Sequence, residues 1–214
     1  QADYAGSIPV TCSITNMNFE IVLASSNPNK IKEYREILSK YGITLYSFSD
    51  LNLTLQEVNE NGKTFEENAI KKAMNAAKYV RFPVIADDSG LSLKALKGFP
   101  GIKTARFAKE CGSQINANKE IIKRLKNKNH DATFTCVIAL ANLADKPLIF
   151  EGVVKGKIIE SYKDETSFGY DPIFIPEGKS TTFYNIDKKI KNEISHRALA
   201  CKKLITALKV NNLI

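Results

Sequence analysis

The sequence is short of the residues that build several common kinds of site. It has two histidines, His130 and His196, which argues against a multi-histidine metal centre. Its four cysteines (Cys12, Cys111, Cys136, Cys201) lie far apart and form no C-x-x-C pair. That pattern points to neither a zinc site nor a disulfide framework, and it suits a reducing compartment, so a cytoplasmic location is expected. No apolar run approaches the ~18–20 residues of a membrane span. The phosphate-loop pattern G-x-x-x-x-G-K-[ST] is absent. So are internal repeats, low-complexity tracts, a linker that would divide the chain, and the RRM and KH signatures. Residues 1–16 show no charged-then-apolar secretory pattern. We expect them to be a disordered extension or an artificial remnant, with Met17 as the natural start and residues 17–214 as one domain.

What remains is a chain of 214 residues, 43% hydrophobic, which suits a soluble α/β domain able to bury a core. Its 31 Lys and Arg against 23 Asp and Glu give a net charge of +8. This balance favours anionic partners such as nucleotides or nucleic acid. Scattered lysines on polar helix faces also serve solubility alone.

The run from Phe19 to Ser25 reads as a buried strand. A turn, Ser26-Asn27-Pro28-Asn29, leads into a helix from about Lys30 to Tyr41, with Ile31, Tyr34, Leu38 and Tyr41 at helical spacing and Gly42 as its stop. A second strand is expected from Ile43 to Phe48. Thr64-Phe65-Glu66-Glu67 is a capping box, and Ala69, Ala73, Ala76, Ala77 and Val80 make a small-residue helix face. A helix from Ser113 to Lys126 should turn Ile115, Ile122 and Leu125 inward. Ala132–Ala144 and Leu148–Ile159 read as an antiparallel pair in which neither strand alternates cleanly. Glu160–Asn192 reads as a long loop. A last helix, Ser195 to Lys209, should bury Leu199, Leu204, Ile205 and Leu208.

Five stretches could carry chemistry. The most informative is Ala86-Asp87-Asp88-Ser89-Gly90, read as a strand end. Adjacent strand residues point to opposite faces, so one carboxylate can face a cleft while the other braces its surroundings. Ser25-Ser26-Asn27-Pro28-Asn29-Lys30 lies between a strand and a helix N-terminus, where phosphates bind. Taken in isolation it reads first as an ordinary capped turn. The acidic stretch Glu57-Val58-Asn59-Glu60-Asn61-Gly62 could complete a Mg²⁺ site with Asp88, through Glu60 first and Glu57 second. Lys72 on the capped helix could reach a phosphate or solvent. Ser167-Phe168-Gly169-Tyr170-Asp171 offers aromatic faces and a carboxylate for a planar base, or a tight turn over core aromatics. In Ile194-Ser195-His196-Arg197 two basic residues occupy a helix's first turn, where cations are unfavourable unless a partner satisfies them. Lys191 and Arg106 are further candidate contacts.

Taken together, these pieces resemble the inosine triphosphate pyrophosphatase family of house-cleaning nucleotide hydrolases. The matching segments are Ser26-Asn27 with Lys30; Gly62 with Thr64 to Ala69 and Lys72; Ala86 to Leu91; Gly98-Phe99-Pro100-Gly101-Ile102 with Ala105-Arg106; Phe168 to Phe174; and Ile194 to Ala198. They occur in family order from Phe19 to Leu208. The resemblance implies an elongated single α/β domain, with a mixed twisted sheet, flanking helices and a cleft between two lobes. It implies a homodimer and Mg²⁺-dependent hydrolysis of ITP, dITP and XTP to monophosphate and pyrophosphate. By position, Asp88 would be the general base and a metal ligand. Ser25, Ser26, Asn27, Pro28, Asn29, Lys30, Lys72 and Ser89 would hold the triphosphate. Phe168, Gly169, Tyr170, Asp171, Lys191, His196 and Arg197 would hold the base. The chain departs from the family pattern at Asn59-Glu60-Asn61, Lys103 and Ser167. The competing expectations are a pyrophosphatase of related fold acting on pyrimidine or modified nucleotides, and a non-enzymatic nucleic-acid binder. No membrane and no stable nucleic-acid partner are expected.

Overall fold

A computed structural model describes residues 19–163 and 168–214. The expectations placed on residues 1–16, Met17, Cys12 and Ser167 lie outside the described residues. The described chain forms one six-stranded mixed sheet of order β2-β1-β3-β4-β5-β6, with six α-helices. β1 (Phe19–Leu23) runs parallel to β2 (Ile43–Ser47) and to β3 (Val84–Leu93). β4 (Asp131–Ala141), β5 (Leu148–Ile158) and β6 (Phe174–Pro176) continue the sheet antiparallel.

Local signals set most helix starts. In α1 (Pro28–Leu38), Asn27 caps the backbone N–H groups of Asn29 and Lys30, and Pro28 occupies the first turn, where its missing N–H costs nothing. A 3₁₀ turn, Ser39–Tyr41, finishes this segment, and Gly42 closes it with a left-handed φ of 71°. Tyr41 is exposed, so it does not extend the apolar face. In α2 (Phe65–Ala76), the Thr64 hydroxyl accepts from Glu67 N–H, while the Glu67 carboxylate accepts from the N–H of Lys63, one residue before the cap.

The sheet is covered on both faces. Tyr34 and Ile37 of α1, with Ala198, Cys201, Leu204 and Ile205 of α6 (His196–Val210), pack on Ile21, Leu23, Ile85, Cys136 and Ile138. On the other face Ala69, Ala73 and Ala76 of α2 lie against Val22, Val84, Ala86 and Ala139, close packing that small side chains permit. A further cluster joins Leu91, Leu93 and Phe134 to Phe107 of α3 (Thr104–Glu110) and to Ala117, Ile121 and Leu125 of α4 (Gln114–Leu125).

Several expectations are corrected. Asp87 and Asp88 do not end a strand. They lie within the ten-residue β3, laddered to Ile138 and Val137 of β4. The strand continues because side chains from the flanking helices neutralise both carboxylates. In α4 the buried face is Ala117, Asn118, Ile121 and Leu125, so Leu125 turns inward as expected while Ile115 and Ile122 are only half-buried. In α6 Leu199 is likewise half-buried. β5 alternates after all, with Glu151 and Val153 turned outward and exposed. The long loop contains β6 and α5 (Lys188–Ile194), both too short to leave a periodic signature. α3, of seven residues, is likewise too short to leave one.

Candidate active site

The alternation of β3 separates the twin aspartates. Asp87 faces α1 and α6, where Lys30 Nζ donates to its carboxylate at 2.8 Å and Arg197 Nη2 at 3.3 Å. Asp88 faces α2, where Lys72 Nζ donates at 2.9 Å and Asn68 Nδ2 at 3.2 Å. Burial favours the neutral acid at Asp87, but Lys30 and Arg197 outweigh it and hold its carboxyl well below the ordinary range. Asp88 goes the other way. Burial pushes it up and Glu60 adds to the effect, against the pull of Lys72. Asp87 is therefore a fixed anion, whereas Asp88 is the more basic of the two.

Lys72 holds two carboxylates together, Asp88 at 2.9 Å and Glu60 at 3.4 Å. Burial disfavours its charge, but Asp88, Asp87 and Glu60 more than compensate and raise its pKa. Glu60, Lys72, Asp87, Lys30 and the Ser25–Asn27 turn all line one pocket of about 570 Å³. Exposed Glu57 lies on its wall, as do Arg106 and Lys109 of α3. Arg106 Nη2 donates to the Glu60 carbonyl at 3.3 Å and ties the acidic loop to α3. The turn before α1 satisfies its own N–H groups. Asn27 N–H donates to Ser25 Oγ at 3.2 Å, Asn29 and Lys30 N–H donate to Asn27 Oδ1, and Pro28 has none to offer. An anion would meet side chains and Lys30 there before it met bare amides.

The start of α6 is buried rather than surface-exposed. Arg197 is 2% exposed and His196 6%. Ser195 caps the helix by accepting from Ala198 N–H at 3.2 Å. Arg197 meets Glu33 of α1 through Nη1, and Asp87 and Ser89 Oγ through Nη2, each of the latter at 3.3 Å. Ser89 thus sits on the Asp87 face beside Arg197. The expected need for an anion beside these first-turn cations is met for Arg197 from within the fold. His196 lies flat on Phe134, ring centroids 4.6 Å apart and planes 7° from parallel. Burial, with Arg197 and Lys191 nearby, holds its imidazole well below its ordinary pKa, so it is neutral. His196 Nδ1 and Arg197 Nε are buried with no hydrogen-bond partner among the described residues.

The Phe168 segment joins this group unevenly. Lys191 Nζ donates to Asp171 at 2.5 Å and to Glu33 at 2.6 Å. Lys191 Nζ and Arg197 Cζ stand 5.8 and 5.7 Å from the centroid of the half-buried Phe168 ring. Gly169 turns the chain with φ 60°, and its carbonyl accepts from Asn118. Tyr170 points away into the far core, where its hydroxyl donates to the Thr104 carbonyl at 3.3 Å.

Residues 21–207 match the sequence profile of the Ham1 family. The chain belongs to the Ham1 family. It is 43% identical over 188 residues to a dITP/XTP pyrophosphatase of Bacillus subtilis (strain 168), covering 86% of this chain and 94% of that protein. It is 40% identical over 200 residues to the dITP/XTP pyrophosphatase of Clostridium perfringens (strain 13 / Type A), covering 89% and 97%. Among solved structures, the Staphylococcus aureus Ham1 protein superposes with a TM-score of 0.78 at 38% identity, covering 90% of this chain and 99% of that one. A HAM1 protein from Coxiella burnetii gives 0.78 at 37%, with 89% and 98% covered.

Three polar residues of this Ham1-family site carried no assignment in the sequence reading. Glu33 is the one charged side chain buried on the face of α1 that also carries Tyr34 and Ile37, and that position was its signal. Asn68 is a buried amide on the small-residue face of α2, where an amide needs a partner. Lys109 had no signal, since only the packing of α3 brings it to the pocket.

Proposed function

We propose that this chain hydrolyses non-standard purine nucleoside triphosphates (ITP, dITP and XTP) to the monophosphate and pyrophosphate, and so clears them from the nucleotide pool. The observation that carries this reading is a convergence. The turn after β1, the first of the twin aspartates and the start of α6 meet through Lys30, Asp87 and Arg197, beside a pocket with cations on its walls. The pyrophosphatase names of the relatives support the same reading.

The triphosphate lies along the pocket, where Lys30, Lys72 and Arg106 offset its charge with help from Ser25, Ser26 and Asn27. Asp88 orients the attacking water and takes its proton as the water adds to the α-phosphorus and pyrophosphate leaves. Burial suits it to this role by raising its basicity. The base lies toward Phe168, Asp171, Lys191, His196 and Arg197. A 6-oxo group accepts a hydrogen bond from an unpartnered donor such as Arg197 Nε–H, whereas the 6-amino group of adenine cannot.

A divalent metal fits this site. Asp88 and Glu60 already converge on one cation, the Lys72 ammonium, and both are hard oxygen donors. Among the described residues no three His, Cys, Asp or Glu groups come together as a metal cage. That suits Mg²⁺, which takes few carboxylates and completes its shell with water and phosphate. Asp88 and Glu60 would hold it, with Glu57 on the rim, and it would neutralise charge on the triphosphate and the leaving pyrophosphate. We read the active form as a cytoplasmic homodimer. No helix among the described residues is long and apolar enough to cross a membrane.

The test is pyrophosphate release from a panel of ITP, dITP, XTP, ATP, GTP and pyrimidine triphosphates, with and without Mg²⁺. A much higher kcat/KM for ITP and XTP than for ATP and GTP is expected. Equal values across the panel would refute the reading.

A further inference from the structure

Glu33 is the hinge of a closed charge cluster. Its carboxylate takes Lys191 Nζ at 2.6 Å on one side and Arg197 Nη1 on the other. Lys191 also holds Asp171, and Arg197 also holds Asp87, which in turn holds Lys30. Three cations (Lys30, Lys191, Arg197) thus face three carboxylates (Glu33, Asp87, Asp171) drawn from α1, β3, α5, α6 and the turn at 171.

Two of these cations stand near one aromatic ring, Phe168, at 5.8 and 5.7 Å. Like charges gathered over one ring repel, and Glu33 is the anion that both of them touch. Glu33 is itself buried, 9% exposed. A buried ion cluster is a poor means of stabilising a fold, since well-packed apolar residues do as well or better, so its value lies in fixing positions. Here the fixed groups are those placed around the purine. Arg197 spends Nη1 and Nη2 on Glu33, Asp87 and Ser89, which leaves Nε without a partner.

We propose that Glu33 is a positioning residue for purine selectivity: by holding Lys191 and Arg197 together beside Phe168, it keeps the Arg197 Nε–H free for an acceptor on the base. This rests on the functional reading above and adds to it a residue of α1 that touches no substrate atom. Loss of the Glu33 charge lets Lys191 and Arg197 move apart, so the donor no longer discriminates between a 6-oxo and a 6-amino purine. Lys72 and Asp88, on the opposite face of β3, pair with each other and make no contact with Glu33.

The experiment is a comparison of kcat and KM for ITP and for ATP, by pyrophosphate release, in the full chain and in Glu33→Gln. The expected result is a KM for ITP raised roughly 10- to 100-fold, the range for losing a hydrogen bond to a charged group. The KM for ATP should change far less and kcat for ITP should stay within about twofold, since the chemical step is untouched. Equal rises for both substrates, a fall confined to kcat, or no change would each overturn the proposal. If Glu33→Gln does not fold, Glu33→Asp keeps the charge but shortens its reach. A fallen ITP-to-ATP ratio supports the proposal, and an unchanged ratio overturns it. A wild-type enzyme with no preference for ITP is a separate result: it sinks the functional reading, and the role of Glu33 in selectivity falls with it.

Discussion

A Cβ at Gly152 of β5 would lie 2.0 Å from the carbonyl oxygen of His196, at the first residue of α6. The same atom would come 2.4 Å from the Ala200 amide nitrogen. Helix backbone therefore rests directly on strand backbone, and that contact sets the depth at which His196 and Arg197 enter the site. Both neighbours are main chain and cannot rotate away. Gly152→Ala should lift the start of α6, cost about 1–3 kcal/mol as an overpacked contact, and reduce turnover through misplaced Arg197. Urea denaturation followed with the pyrophosphate assay checks this, and an unchanged midpoint would show that α6 can shift freely.

Asp88→Asn should collapse kcat by ~10²–10⁴-fold, the usual worth of a positioned base, while nucleotide binding is largely kept. Equilibrium binding of a non-hydrolysed ITP analogue beside single-turnover kinetics separates the two effects. Near wild-type turnover would remove Asp88 from the mechanism.

Asp87→Asn should act on stability instead. It leaves Lys30 and the buried Arg197 short of a carboxylate. Breaking one side of such a buried pair costs about 3–5 kcal/mol. A denaturant midpoint within error of wild type would mean that solvent or another carboxylate takes over.

Glu60→Gln should weaken the metal requirement's apparent affinity by at least the roughly 10- to 100-fold that loss of a mere supporting partner costs. Glu57→Gln, at an exposed position on the pocket wall, should do less. Mg²⁺ titrations of pyrophosphate release after chelator treatment give both numbers. A larger effect from Glu57 would exchange their roles.

Stability should fall with acid in two stages. Burial holds His196 well below 6.5 in the folded chain, so below about pH 6.5 the unfolded chain binds the extra proton and stability drops. Asp87 and Glu33 have lowered pKa values when folded. Their contribution is present above about pH 4–4.5 and is lost as pH falls further toward their folded values. Asp88 and Asp171, pushed up by burial, act in the opposite sense near pH 4 and blunt the second stage. Thermal melts across pH 3–8 should show both stages, and His196→Gln should remove the first. A first stage that survives in this variant would assign it to another group.

The legible parts of this protein were those decided by neighbours in sequence. Asn27, Thr64, Ser113 and Ser195 cap the helices they precede. The apolar runs of β1, β4 and β5 appear within a few residues of where they were read. α3 and α5 were not legible, because seven residues span barely two helical turns and give the helical period too little length to register, and β6 has only three residues. Tyr170 could not be separated from Phe168 by sequence either, since the turn at Gly169 sends one ring toward Lys191 and the other into the far core.

By itself the sequence determined which side chains were available and that Asp87 and Asp88 must point apart, since a strand turns successive residues to opposite faces. Tertiary structure alone decided what each would become. Lys30 and Arg197 reach Asp87 from 57 and 110 positions away, while Lys72 and Asn68 reach Asp88 from another helix. Charge, burial and proton affinity depend on those distant partners, so two identical neighbours became a fixed anion and a carboxylate of raised proton affinity.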